Sequence, residues 1–146
     1  MSHIITKRHT FYLLNIIISL VIGLTVYVCY RPDTFVSNVV YKMFGTRPDV
    51  EMYTSMLPQW LTIFIQNYLA DILWAYALTF TVSYIWLDQS GSALQVFGIV
   101  AVFEFFMEFS QKIDIMPGTF DWMDIVLEIC ITALLMPFIK TLCKEN

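Results

Sequence analysis

The chain has 146 residues, of which 58 % are hydrophobic and only 14 % charged, and its net charge is −4. Soluble domains carry about a quarter charged residues, so the composition excludes an ordinary soluble domain. The acidic balance, with no basic stripe, excludes a nucleic-acid-binding surface. What remains is one all-α membrane domain over residues 1–146. The three cysteines, Cys29, Cys130 and Cys143, have neither metal-ligand spacing nor the even count of a disulfide framework.

Residues 1–10 are a short polar start with Lys7, Arg8 and His9 at its end. The apolar run from Phe11 to Tyr30 has the roughly 20 residues needed to cross a hydrocarbon core. It ends in Val-Cys-Tyr-Arg-Pro rather than a small-residue cleavage site, which predicts an uncleaved first span over 11–30. Between Pro32 and Pro48, the residues Phe35, Val36, Val39, Val40, Met43 and Phe44 recur at helical spacing. That spacing predicts a short amphipathic helix on the bilayer surface.

The stretch from Met56 to Leu87 is too long for one straight span, and two readings stand open. Either 57–66 is an interfacial or re-entrant segment before a span over 68–86, or one long tilted helix begins near Pro58, a residue suited to a first helical turn. A turn at 87–92 leads to a third span over 93–109. The connection 110–120, with Lys112, Asp114, Pro117 and Gly118, leads to a fourth span over 121–139. Lysines and arginines are balanced between the two sides, and the leading role of the first helix decides the orientation: both termini in the cytoplasm, Lys112 outside.

Several polar residues interrupt these apolar spans. An ionised carboxylate at mid-membrane costs roughly 2.5–3.5 kcal/mol on insertion scales, so each asks for a reason. Asn67 and Asp71 share a face of the second span; Glu104, Glu108 and Gln111 share one on the third; Asp121, Asp124 and Glu128 share one on the fourth. In the topology above, Asp71, Glu108 and Asp121 lie near the outer ends of their spans. Glu104 and Glu128 lie about 6 and 10 Å deeper at 1.5 Å per residue. The three stripes are therefore expected to converge on one acidic cavity open to the outside, with all eight residues as its ligand-binding set. The plainer reading makes Asp121 and Asp124 hydrated acids favoured at a helix N-terminus.

Such a cavity needs protonated acids, a cation, or one of the loop basic residues Arg31, Lys42, Arg47 and Lys112 folded over it. An all-oxygen site would suit a divalent cation such as Ca²⁺, Mg²⁺ or Mn²⁺. Ser19 and Gly23 form a small-xxx-small pair suited to helix packing.

The segment Glu108-Phe-Ser-Gln111, followed by Pro117-Gly-Thr-Phe-Asp121-Trp-Met-Asp124, resembles the VanZ-like family of small bacterial membrane proteins. Asn67-Tyr-Leu-Ala-Asp71-Ile-Leu-Trp74 is similar to the polar start of the preceding helix in that family, and the likeness covers about residues 65–137. The loop Arg that the family carries before its Asp pair is replaced here by Pro-Gly-Thr-Phe, and Glu128 stands where the family has Asn then Gly. The resemblance implies a role at the outer face of a bacterial cytoplasmic membrane and a link to glycopeptide (teicoplanin) resistance in the founding member.

Three functions fit these residues. The favoured one is a non-enzymatic binding or accessory protein whose acidic cavity takes an envelope lipid, a lipid-linked or glycopeptide ligand, or a cation. The others are an intramembrane enzyme on a lipid-linked substrate, with acids as general base or metal ligands, and a proton- or cation-conducting element.

Overall fold

The computed structural model describes residues 2–31, 34–45, 57–86, 92–116 and 118–144. Most of the expected 87–92 turn lies outside these residues, as do Pro32, Arg47, Pro48 and Pro117. The described residues are helical throughout, without strands: α1 (Ser2–Tyr30), α2 (Phe35–Phe44), α3 (Gln59–Phe64), a π-helical turn (Ile65–Leu69), α4 (Ala70–Trp86), α5 (Ala93–Lys112) and α6 (Trp122–Lys144). Four stretches are long and apolar enough to cross a bilayer: His9–Tyr30, Gln59–Trp86, Ala93–Lys112 and Trp122–Thr141. The chain is a multi-pass, all-α membrane protein.

Each boundary has a local cause. Thr34 caps α2 by accepting a hydrogen bond from the Ser37 amide (3.3 Å). Gly45, at φ 73°, ends that helix in the left-handed region that glycine adopts without strain. α2 is tied to the end of α1 by two side chains, Ser37 donating to the Arg31 carbonyl (2.7 Å) and Tyr41 to the Val28 carbonyl (2.7 Å). Ser92 and Gln95 form a reciprocal capping box that starts α5.

Of the two readings of 57–66, the long helix is the one found. Pro58 stands at its N-cap, and α3 runs through the π-helical turn into α4 without a break. The third span runs three residues beyond the expected end at Phe109, to Lys112, because Ser110 donates back to the Phe106 carbonyl (2.7 Å) and does not start a turn.

α1 packs along α4, and α5 and α6 pack on α4 and on each other. The approach of α1 is closest at Gly23, where an added Cβ would sit 3.3 Å from Leu73 Cβ and 3.7 Å from the Ala70 carbonyl oxygen. Gly23 and the buried Ser19 one turn away let the two backbones come together, as small residues do in membranes. Nearer the termini, Tyr12, Phe80 and Ile139 form a buried core with Tyr76 and Tyr84 against it. The Tyr76 and Phe80 rings lie 4.7 Å apart, and Tyr76 donates to Asn15 Oδ1 (2.7 Å), joining α4 to α1 again.

Candidate functional site

α1 packs against α4 but to no comparable extent against α5 or α6, and a cleft of about 540 Å³ fills the space left between them. α4 is its floor. Leu20, Leu24, Tyr27 and Val36 make the wall on the side of α1 and α2, with Trp74 and Met107 opposite, so most of its surface is apolar. Into this surface open five polar residues: Ser19, Asp71, Glu108, Gln111 and Glu128.

At the mouth, Arg31 reaches from the end of α1 to Asp71, with Nη2 2.9 Å from Oδ2. The same guanidinium donates from Nε to the Gln66 carbonyl (3.0 Å) and from Nη2 to the Asn67 carbonyl. These carbonyls lie in the π-helical turn, whose i→i+5 pattern disturbs the regular helical ladder. Arg31 also lies over the Tyr27 ring, 5.3 Å from its centroid.

The end of α5 adds Glu108 and Gln111. Gln111 Nε2 donates to Glu108 Oε1 (3.1 Å), and the Asp121 amide donates to Oε2 (3.4 Å). Gly118 packs directly against the Gln111 side chain, where a Cβ would collide with it, and its φ of 150° is open to glycine alone. Asp121 itself is exposed and accepts from the Met123 amide (2.8 Å), so its role here is to cap α6. Lys112 points to the Phe120 and Trp122 rings, 5.0 and 5.8 Å from their centroids.

One turn deeper the pairing stops. Glu128, only 6 % exposed, has Oε2 buried without a hydrogen-bond partner among the described residues, and so does Asp124 through Oδ1. Glu104, Asp71, Glu108 and Asp124 all lie within electrostatic reach of Glu128, and Arg31 within reach of Asp124. Glu104, 2 % exposed, accepts from Thr132 at Oε1 (3.0 Å), while its Oε2 is also unpartnered among the described residues. The Thr132 hydroxyl lies 3.2 Å from that of Thr79, which donates to the Ala75 carbonyl (2.8 Å). Glu104, Thr132 and Thr79 thus join α5, α6 and α4 at mid-membrane.

The eight residues expected from the sequence separate into groups. Asp71, Glu108, Gln111 and Glu128 line the cleft. Asp124 and Glu104 stand close behind it, outside the lining, and Asp121 is a helix cap at the rim. Asn67 is not brought into the group: its side chain is exposed, because the π-helical turn breaks the four-residue register that would have stacked it on Asp71. Among the described residues no three His, Cys, Asp or Glu side chains form a group able to hold a metal ion. A divalent cation, one of the occupants an all-oxygen site could take, has no built position among the described residues.

Reasoning from charge alone missed Thr132 and Thr79 and did not assign Arg31 to Asp71. Thr132 carries a legible signal, since it continues the Asp124–Glu128 stripe by four more residues. No protein-family model matches this chain, and no curated protein or solved structure matches it either.

Proposed function

We propose that this chain binds a membrane amphiphile with a positively charged head group, an envelope lipid or a lipid-linked or glycopeptide molecule, in the outer-leaflet half of a bacterial cytoplasmic membrane. Both termini lie in the cytoplasm in this reading, and the Arg31 end of the cleft faces out. An apolar cleft beside lipid suits an acyl or aliphatic body, and its carboxylates suit a cation. The motif resemblance to VanZ-like proteins points to the same side of the same membrane.

The observation that carries the reading is Glu128, which lines this cleft and whose buried Oε2 has no partner among the described residues. A buried acid oxygen left without a donor costs free energy that an incoming donor recovers. Arg31, the cation nearest to hand, is engaged by Asp71 and two carbonyls.

The test is thermal unfolding of purified protein in a nonionic detergent, titrated with dodecylammonium, dodecyltrimethylammonium and dodecanoate. Binding to the native state raises Tm by linkage. Stabilisation by at least one of the two cationic chains, absent with dodecanoate and absent in Glu128→Gln, supports the reading. Equal behaviour of all three chains, or of wild type and Glu128→Gln, overturns it.

A further inference from the structure

We infer that the ligand's cation is an ammonium bearing N–H groups, as in an aminoacyl or ethanolamine head group, and not a quaternary ammonium of the choline type. The inference rests on the reading of the cleft as a cationic-amphiphile site and narrows it. Two residues that line the cleft each hold a polar atom with no donor among the described residues. The first is Glu128 Oε2, unpartnered among the described residues. The second is Ser19 Oγ on α1. Ser19 is 4 % exposed, lines the cleft and directs its single hydrogen to its own helix, to the Asn15 carbonyl (2.6 Å) and the Ile16 carbonyl (3.1 Å). That leaves only hydroxyl lone pairs for the cleft.

The depths of the two atoms agree. Gly23 meets α4 at Ala70 and Leu73, and Ser19 lies about 6 Å further along α1 at 1.5 Å per residue. On α6, Glu128 lies about 6 Å above Thr132, which contacts Thr79 of α4. Both estimates put the residue near the level of Ala75, at the deep end of the cleft. A primary ammonium has three hydrogens to share between such acceptors; a quaternary ammonium has none.

A quaternary head group is held instead by a cage of aromatic faces. Among the described residues the cleft has two aromatic side chains, Tyr27 and Trp74, and Arg31 already covers a face of Tyr27 at 5.3 Å. Trp74 alone makes no cage. The polar atoms present therefore select hydrogen-bond donors.

The experiment compares dodecylammonium with dodecyltrimethylammonium, equal in charge and chain, on wild type, Glu128→Gln and Ser19→Ala in nonionic detergent. The expected result is binding of the primary amine at least about tenfold tighter, the size of one charge-assisted hydrogen bond. Ser19→Ala keeps the helix and should reduce that preference several-fold. It serves as the independent arm if Glu128→Gln fails to fold. Equal, Glu128-dependent binding of both cations overturns the N–H inference and leaves the amphiphile reading standing. A preference for the amine that survives both substitutions overturns it as well. Binding of neither cation removes the amphiphile reading itself.

Discussion

Arg31 and Asp71, 40 positions apart in the chain, meet at 2.9 Å across the mouth of the cleft and fasten the end of α1 to the beginning of α4. Both side chains keep about 30 % exposure (31 % and 28 %), which limits what the pair contributes. Arg31→Met is nevertheless expected to cost about 1–2 kcal/mol, because it strips donors from two carbonyls as well as from the carboxylate. The double variant Arg31→Met/Asp71→Leu should recover part of that loss. Equilibrium unfolding in mixed micelles measures both, and a double variant no better than the single would show that Asp71 is not what Arg31 supports.

Thr132→Val removes the only hydrogen bond of Glu104 found among the described residues and is expected to destabilise by about 1 kcal/mol, above the membrane average of roughly 0.6 because the acceptor is a buried carboxyl group. Thr81→Val is the comparison. Its hydroxyl donates only to Ala77 of its own helix (2.8 Å), so its loss should be close to neutral. The same unfolding assay separates the two.

Gly23→Leu is expected to cost about 1–3 kcal/mol, since even a Cβ there meets Leu73 at 3.3 Å and a larger side chain must drive α1 off α4. Gly98→Leu should be tolerated, because a Cβ at that position meets nothing within 4 Å. Melting curves of the two variants side by side decide the point, and equal losses would mean that glycine itself matters, not the contact.

Glu108→Gln and Asp124→Asn keep the shape of their side chains while removing charge beside the cleft. Their stability should stay within about 0.5 kcal/mol of wild type, as amides cost less to desolvate than ionised acids. Binding of dodecylammonium should weaken about tenfold or more. Asp114→Asn, exposed and beyond the end of α5, should change neither quantity. Wild-type binding in both cluster variants would reduce these acids to interfacial decoration.

Orientation is read by impermeant thiol labelling of whole cells, with Cys29, Cys130 and Cys143 replaced. A cysteine at position 112 should label from outside and one at position 140 only after permeabilisation. The opposite pattern would place the cleft on the cytoplasmic side.

The four spans were legible because each is a largely apolar run of at least membrane length, and α2 because Val36, Val39, Val40 and Met43 repeat with helical period. The inward faces of Glu104, Glu108 and Glu128 were legible too, since helical spacing aligns them and all three are buried. The path of 57–66 was not. Gln59, Thr62 and Gln66 give it the polarity of an interfacial segment, and no residue pattern marks a π-helical turn. That turn also removed Asn67 from the face inferred for it. The Arg31–Asp71 contact depends on how α1 leans on α4, and Arg31 stood among four basic residues with equal claim on the acids.

The bundle is lopsided, with consequences for how it opens. α4, α5 and α6 are joined midway along their lengths by Thr79, Glu104 and Thr132, whereas α1 packs extensively on α4 and little on α5 or α6. Tyr76 bonds α1 at the terminal end, Arg31 latches it at the other, and Gly23 lies between as a bearing with little side chain to snag. Loss of the Arg31 latch would therefore loosen the end of α1 from α4 without breaking any hydrogen bond among Thr79, Glu104 and Thr132.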